Sequence, residues 1–173
     1  MKGAKREGKR KEGRGKREEK NTKPILPFHA DKVLLAQTDT TVGFLSQNAD
    51  SLAFIKERPQ HKHFLKVYAD WKNFKASHGR IPKPHRSRVR RSDKTTYIVK
   101  NEAFRVVHEP NHRDLIKSYG WLFSTSANQS GHKYEQKFCE ASADIIVEDF
   151  RGLHENPPSS IIRLGKHKAK RVR

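Results

Sequence analysis

The large apolar residues of this chain are gathered into short runs, each about as long as a β-strand. Such runs occupy residues 32–36, 64–68, 95–99, 103–107, 121–123, 144–147 and 160–164. Between several of them, apolar side chains recur at helical spacing, as after the candidate N-cap Asn48. No run approaches the roughly 20 apolar residues that a membrane-spanning helix needs. Strands that alternate with short helices predict a single α/β domain, with a twisted mixed sheet partly covered by helices.

Two of these strands are predicted to pair as a hairpin. Residues 95–99 and 103–107 are rich in β-branched and aromatic side chains, and only residues 100–102 separate them. Further along the chain, Asn111 is a candidate N-cap for a helix that Gly120 would end. A last short helix is expected near residues 134–141.

The positive charge of the chain is concentrated in three segments. The 173 residues include 38 lysines and arginines against 19 acidic residues, a formal net charge of +19. Residues 1–20, 80–94 and 163–173 each have a net charge of +6, and the remaining 127 positions together have +1. This distribution argues against a uniformly basic protein such as a histone. It predicts a nearly neutral domain with cationic segments attached.

Domain boundaries follow from the same distribution. Residues 1–23 have almost no large apolar side chain, so apolar burial cannot offset the chain entropy that they would lose on folding. They are therefore expected to form a basic disordered arm. Residues 24–165 form the predicted domain, and residues 166–173 a basic C-terminal tail. Within the domain, two prolines and a run of like charges predict that residues 80–94 form a loop.

Cysteine and histidine usage argues against a disulfide or a metal site. Cys139 is the single cysteine, so it forms no intramolecular disulfide and is expected to be a passive residue. His61 and His63 have no nearby carboxylate or thiolate partner in the sequence, and surface positions are expected for them. No metal ligands are predicted. Because no apolar signal segment precedes Ile25, a cytoplasmic location is expected.

Three clusters of hydroxyl and amide side chains, at residues 38–41, 124–128 and 158–160, are each predicted to begin just after an apolar strand. In open α/β sheets, ligands bind in the crevice beyond the carboxyl ends of the strands. Serine, threonine and asparagine are also common in turns, so a single cluster is better explained as a structural loop. The recurrence of three clusters favours a small-molecule site.

A cationic motif stands between the first two clusters. Lys56 and Arg58 precede the helix-stopping Pro59, and Lys62 follows it. Arginine as a planar fork and lysine as a point charge are suited to phosphate oxygens. The same cations also fit the solvated end of a helix, where its dipole favours them.

Together these motifs resemble the YrdC/YciO-like family, the bacterial threonylcarbamoyl-AMP synthases. The resemblance covers residues 30–164 and rests on the order and spacing of residues 38–43, 56–59, 103–106, 124–131 and 158–161. Its most specific part is the block Ser-Thr-Ser-Ala-Asn-Gln-Ser-Gly at residues 124–131. The resemblance implies a YrdC-like fold.

The resemblance also implies an activity. Family members condense L-threonine, bicarbonate and ATP into threonylcarbamoyl-AMP and release pyrophosphate, and the product feeds threonylcarbamoyladenosine modification of tRNA. Mg²⁺ would accompany ATP as a counter-ion rather than in a protein cage. A tRNA or another RNA and a tRNA-modification complex are the implied partners.

Site residues are carried over from the family motifs. Lys56 and Arg58 would grip the ATP phosphates and act in catalysis, with Lys62 nearby. Threonine would be bound by Thr38, Thr40 and, through its carboxylate, Arg105. The remaining nucleotide contacts implied are Ser124, Ser126, Asn128 and Ser159.

The segment at residues 80–94 departs from the family pattern. It replaces a longer stretch that ends in a Pro-Gly-Pro-x-Thr motif, so Thr95 or Thr96 would take the place of that threonine and the segment would border the pocket. Its charge also allows a second function, a non-catalytic RNA-binding relative of the YciO type. The RNA contacts would then be Lys83, Arg86, Arg88, Arg90 and Arg91.

Overall fold

A mixed sheet of nine strands organises the computed structural model, within the residues that it describes: 30–59, 62–77 and 80–173. The strands are β1 (Leu34–Gln37), β2 (Val42–Ser46), β3 (Leu65–Tyr68), β4 (Thr95–Val99), β5 (Glu102–Val106), β6 (Trp121–Ser126), β7 (Ile145–Val147), β8 (Ser160–Leu164) and β9 (Ala169–Arg171). The helices are α1 (Ala49–Ile55), α2 (Trp71–Ser77), α3 (Arg86–Arg91), α4 (Pro110–Tyr119) and α5 (Gln136–Ser142). This architecture confirms the predicted mixed α/β fold.

The order of the strands brings distant parts of the chain together. Across the sheet it is β7-β1-β2-β6-β3-β5-β4-β8-β9. The β7–β1, β3–β5 and β4–β8 pairs are parallel and the other five are antiparallel. The predicted hairpin is confirmed as β4 and β5, with Ile98 opposite Ala103. Parallel pairing of β4 with β8 then places the last part of the chain beside this hairpin.

Helices cover both faces of the sheet because side chains alternate along each strand. On one face, Leu45, Val67 and Leu122 pack against Ile116 of α4, and we call this the α4 face. On the opposite face, α1 and α5 pack over β1 and β2. There α2 and α3 also pack over β4 and β5, where Phe74 and Val89 contact a cluster that includes Tyr97 and Phe104.

Helix ends follow local chemistry, with one correction. Asn48 caps α1 as predicted, because its side chain accepts hydrogen bonds from the backbone N–H groups of Asp50 and Ser51. The N-cap predicted at Asn111 is wrong. Glu109 takes that place, and its carboxylate accepts from the N–H groups of Asn111 and His112. Gly120, at φ 78°, ends α4 as predicted.

The two cationic segments within the described residues are more ordered than predicted. Residues 80–94 contain a 3₁₀ turn (Lys83–His85) and helix α3 rather than a loop, because Pro84 lies in the first turn, where no backbone donor is needed. Residues 166–173, predicted as a tail, contain β9, which pairs with β8. The predicted boundary after residue 165 therefore divides a hairpin. The arm predicted at residues 1–23 lies outside the described residues.

None of the helices within the described residues is long and apolar enough to cross a membrane.

Candidate small-molecule site

A cavity of about 500 Å³ opens on the α4 face of the sheet. Its walls are alternate side chains of β4, β5 and β6, together with the β1–β2 turn and the chain entering β8. The lining residues are Thr38, Thr40, Thr41, Gly43, Arg58, Lys62, His63, Leu65, Thr96, Ile98, Ala103, Arg105, Ser124, Thr125, Ser126, Pro158, Ser159, Ile161 and Arg173. The three predicted polar clusters thus meet at one cavity.

One detail of the predicted location is wrong. The cluster at residues 158–160 precedes β8 instead of following a strand, and Ser124 and Ser126 lie within β6. The cavity therefore lies over the face of the sheet and not beyond the carboxyl ends of its strands.

The β1–β2 turn presents threonine hydroxyls to the cavity. The hydroxyl of Thr38 donates to the carbonyl of Thr41 at 2.6 Å and accepts from the backbone N–H of Thr40 at 3.1 Å. These bonds fix the turn locally, as is common for threonine. Thr38 and Thr40, predicted as threonine-binding residues, both line the cavity.

Beneath the turn, Gly43 makes room for the close approach of β6. A Cβ atom at Gly43 would lie 3.0 Å from the carbonyl oxygen of Thr125 and 3.0 Å from Cγ2 of Thr38. Any larger residue would therefore require Thr125 or Thr38 to shift slightly.

Arg105 is buried in the cavity wall, where most of its donors are engaged. Nη1 donates to Oδ1 of Asp39 at 2.6 Å and to the hydroxyl of Thr40 at 3.2 Å. Nε and Nη2 donate to the hydroxyl of Thr96 at 3.3 and 3.0 Å. A guanidinium has five N–H donors, so these four bonds leave one N–H of Nη2 without a hydrogen-bond partner in the described part of the chain.

Asp39 joins Arg105 to a buried histidine of α4. The backbone N–H of Asp39 donates to Nδ1 of His112 at 3.1 Å, and the same nitrogen lies 3.3 Å from Oδ1 of Asp39. Burial raises the pKa of the Asp39 carboxyl, but its contact with His112 and the charge of Arg105 outweigh burial and leave the pKa below 3.8. Asp39 is therefore a carboxylate that fixes the position of Arg105.

Thr96 links the arginine to the last wall of the cavity. Its hydroxyl lies 3.0 Å from that of Ser159, and both residues are buried. Of the two threonines predicted for this place, Thr96 faces the cavity and Thr95 does not line it. Ser159, predicted as a nucleotide contact, stands at the cavity because β8 pairs with β4.

Lys56 lies behind the cavity and holds the loop after β6. Its ammonium donates to the carbonyl of Ser126 at 3.1 Å, to the side-chain Oδ1 of Asn128 at 2.8 Å and to the carbonyl of Asn128. Burial and the nearby charge of Arg58 lower the pKa of Lys56 to about 8. All three of its donors are used, so Lys56 supports the loop, and its predicted phosphate contact stays a prediction. Asn128 belongs to the same support and does not line the cavity.

Arg58 and Lys62 provide open positive charge at the cavity. The guanidinium of Arg58 lies over the ring of Phe64, 4.8 Å from its centroid, and burial lowers the pKa of Arg58. Lys62 is exposed. Neither forms an ion pair with a carboxylate of the described residues.

Three residues of the site have no role assigned by the sequence motifs, although Asp39 lies within the motif at residues 38–43. Asp39 and His112 hold Arg105 from within, and Arg173 reaches the cavity because its backbone continues the β8–β9 pairing. The guanidinium of Arg173 donates to the carbonyl of Ser159 at 3.2 Å. Their place at the site depends on the packing of the β1–β2 turn, helix α4 and the β8–β9 hairpin, which neighbouring residues in the sequence do not indicate.

The cationic segment at residues 80–94 does not border the cavity, contrary to expectation. Val89 of α3 packs with Tyr97 and Phe104, on the opposite face of the sheet. The five predicted RNA contacts, Lys83, Arg86, Arg88, Arg90 and Arg91, are exposed on that side. Thr96 therefore lies in the cavity wall, and no residue of 80–94 does.

No group of three or more histidine, cysteine or acidic side chains could hold a metal ion in residues 30–59, 62–77 and 80–173.

Sequence comparisons give a limited result. No model of a known protein family matches the chain. A protein of Mycoplasma pneumoniae, named uncharacterized protein MG259 homolog, is 29% identical over 138 residues. The match covers 73% of this chain and 29% of that protein, so the chain spans less than a third of the curated relative.

Solved structures share the fold. Sua5 of P. abyssi complexed with L-threonine superposes with a TM-score of 0.67 at 18% identity, over 83% of this chain and 50% of that one. E. coli YciO gives 0.66 at 17% identity, over 83% of this chain and 82% of that one. HypF in its phosphate- and nucleotide-bound form gives 0.63 at 14% identity, over 83% of this chain and 27% of that one. At these identities the comparisons show a shared fold.

Proposed function

We propose that this chain, which has the YrdC-like fold, uses its cavity to make threonylcarbamoyl-AMP from L-threonine, bicarbonate and ATP. The supporting observation is the charge of the cavity. Arg58, Lys62 and Arg173 line it without forming an ion pair with any described carboxylate. None of the described acidic residues lines it, so it favours a polyanion such as a nucleoside triphosphate.

The phosphates would lie at the end of the cavity formed by Arg58 and Lys62. Arg58 can offer a planar pair of donors, and Lys62 can follow the phosphate chain as a mobile charge. Ser124 and Ser126 of β6 would add neutral hydroxyl donors beside them. The HypF neighbour, solved with phosphate and nucleotide, is consistent with this placement.

Threonine would lie at the other end, between the β1–β2 turn and β4. Its carboxylate would accept the remaining N–H of Arg105, whose charge is already offset by Asp39. Thr38 and Thr40 offer hydroxyls for its polar groups. That Sua5 was solved with L-threonine supports an amino-acid site in this fold.

The proposed reaction asks for alignment and charge stabilisation rather than a protein nucleophile. The amine of threonine takes up bicarbonate, with loss of water, as a carbamate. A carbamate oxygen then attacks the α-phosphorus of ATP, the bond from that phosphorus to the bridging oxygen breaks, and pyrophosphate leaves. The cations at the cavity would offset the repulsion between the two anions and the charge that develops on the departing pyrophosphate.

Lys56 takes a positioning role in this proposal. By holding the carbonyls of Ser126 and Asn128 it would keep the serines of β6 in register with the nucleotide. Mg²⁺ would be bound by phosphates and water, since no aspartate or glutamate of the described residues lines the cavity.

The activity is tested by incubating the full chain with ATP, threonine and labelled bicarbonate. We expect pyrophosphate release that depends on threonine, together with a labelled adduct. Arg58→Ala should lower kcat/KM for ATP by roughly ten- to hundredfold. Arg113→Ala, which removes an exposed arginine of α4, should leave it unchanged.

Absence of threonine-dependent pyrophosphate release would overturn the proposed function. The alternative, a non-catalytic RNA-binding relative, predicts that outcome. If the chain is active, its product would serve threonylcarbamoyladenosine modification of tRNA by a modification complex.

A further inference from the structure

A second concave site lies on the opposite face of the sheet, between α2 and α3. This cleft has a volume of about 420 Å³. Its walls include the aromatic residues Trp71 and Phe74 and the cations Lys75, Arg80, Arg86 and Arg90. We call it the α2–α3 cleft.

The four cations of the cleft are not neutralised by the protein. None of them forms an ion pair with a carboxylate of the described residues. The neighbouring acids are engaged locally: the carboxylates of Asp70 and Asp93 accept backbone N–H groups at 2.7 and 2.9 Å. The cleft thus concentrates positive charge that no carboxylate of the described residues offsets.

Trp71 lies among these four cations and stacks on a neighbouring aromatic ring. Its indole stacks on Phe74, with centroids 5.1 Å apart and planes at 27°. Phe74 stacks in turn on the buried Phe104, with centroids 4.5 Å apart. The guanidinium of Arg90 lies 5.4 Å from the centroid of Trp71. The indole is therefore backed by the core, and Arg90 lies over its ring, where a base would displace the guanidinium or stack beside it.

Helix α3 aims a defined pair of arginines at the cleft. Arg86 and Arg90 are four residues apart, so they lie one above the other on the same side of the helix. Arg88 and Arg91 lie on another side and do not line the cleft. The helical spacing of the arginines thus places Arg86 and Arg90 at the cleft and Arg88 and Arg91 outside it.

We propose that the α2–α3 cleft binds a single-stranded segment of nucleic acid. Phosphates would contact Lys75, Arg80, Arg86 and Arg90, and a base would stack on or beside Trp71. The combination of a cationic groove with an aromatic platform fits a chain of alternating phosphates and bases better than it fits a duplex, whose bases are already stacked. Because the cleft and the cavity lie on opposite faces, both ligands can be bound together.

This proposal does not depend on the proposed enzymatic activity. Lys83, Arg88 and Arg91, which were also predicted to bind RNA, are exposed beside the cleft and would contact flanking phosphates. Their contribution would be charge without base stacking.

A fluorescence titration tests the cleft directly. The chain has two tryptophans, so Trp121→Phe leaves Trp71 as the single reporter. Titration of this variant with a short single-stranded RNA should quench its fluorescence. Trp71→Ala should weaken binding roughly tenfold by anisotropy of the labelled RNA, whereas Trp71→Phe should retain most of it.

Salt dependence tests the arginines. The double variant Arg86→Ala/Arg90→Ala should lower the slope of log affinity against log salt by about 1.4, since each lost contact with a single strand accounts for about 0.7. The control is Arg113→Ala/Lys117→Ala, which removes the same charge from the exposed side of α4. Every variant keeps residues 1–29, so any contribution of that basic segment cancels.

Three results would overturn the proposal. They are unchanged fluorescence at saturation, full affinity in Trp71→Ala, and equal loss of affinity in the two double variants. Tighter binding of a duplex than of the matching single strand would also contradict it. Comparison of RNA with DNA of the same sequence then identifies which single-stranded nucleic acid the cleft prefers.

Discussion

Asp39 and Arg105 form an ion pair beneath the cavity, with 2.6 Å between Oδ1 and Nη1, although 66 residues separate them in the chain. Both side chains are almost completely buried. Oδ2 of Asp39 has no hydrogen-bond partner within the described residues, so Arg105 provides the principal compensation of this carboxylate. The pair joins the β1–β2 turn to β5 and sets the position of the one free N–H of Arg105.

Asp39→Asn should destabilise the protein strongly. Removing one partner leaves the charge of Arg105 buried and uncompensated, which typically costs about 3–5 kcal/mol. Asp144→Asn, which breaks the exposed pair of Lys32 and Asp144 at 3.6 Å, should cost under about 1 kcal/mol. Urea unfolding measures both free energies. Similar values for the two variants would show that the buried pair adds no special stability.

Acid should remove the same stabilisation. The pKa of Asp39 in the folded protein lies below 3.8, its ordinary value, so its contribution is fully present above the ordinary pKa and is lost as the pH falls through the folded pKa. The difference in unfolding free energy between the unaltered chain and Asp39→Asn should therefore be constant near neutral pH and shrink below about pH 4. Urea unfolding across this range gives the measurement. A difference that persists undiminished in acid would contradict the assignment of Asp39 as the titrating group.

The ion pair also shows where sequence reasoning succeeds and where it ends. Strand-length runs and the cap at Asn48 depend on neighbouring residues, and they predicted most of the elements and the β4–β5 hairpin. The partnership of Asp39 with Arg105 depends on two strands that the chain order does not place side by side. Nothing in residues 38–41 distinguishes a carboxylate that will be buried from one in a solvated turn.

Strand β9 and the loop contacts of Lys56 were missed for related reasons. Residues 169–171 are exposed and basic, so no apolar pattern marks them, and backbone pairing with β8 forms the strand. For Lys56 the sequence indicated a phosphate contact, since lysine near arginine suits phosphates. In the structure it contacts the carbonyls of Ser126 and Asn128 and Oδ1 of Asn128, about 70 residues away, and the motif at residues 124–131 does not indicate that its loop is held by a lysine.

Lys56→Met should loosen the loop after β6 without changing the cavity charge from Arg58 and Lys62. The substitution keeps the length of the side chain but removes three donors, and each buried acceptor left without a partner typically costs about 1–3 kcal/mol. Hydrogen exchange of the backbone N–H of Ala127, which donates to the carbonyl of Val42 at 3.0 Å, should become faster. Lys137→Met, at an exposed position of α5, is the control. Unchanged exchange at Ala127 would show that Lys56 does not support the loop.

Adjacent threonines of β4 give the sharpest test of the amino-acid end of the cavity. Thr96→Val keeps the shape of the side chain but removes the hydroxyl that accepts from Arg105 and contacts Ser159. Arg105 would then lose its fixed orientation, so we expect the KM for threonine to rise about tenfold, the effect of roughly one lost hydrogen bond to a charged group.

Thr95→Val alters the neighbouring residue, whose hydroxyl donates to the carbonyl of Asp93 at 2.7 Å, away from the cavity. Its KM for threonine should change less than about twofold. Equal effects of the two substitutions on KM would show that threonine binds elsewhere. A rise confined to Thr96→Val would show that threonine binds at the part of the cavity wall that contains Arg105.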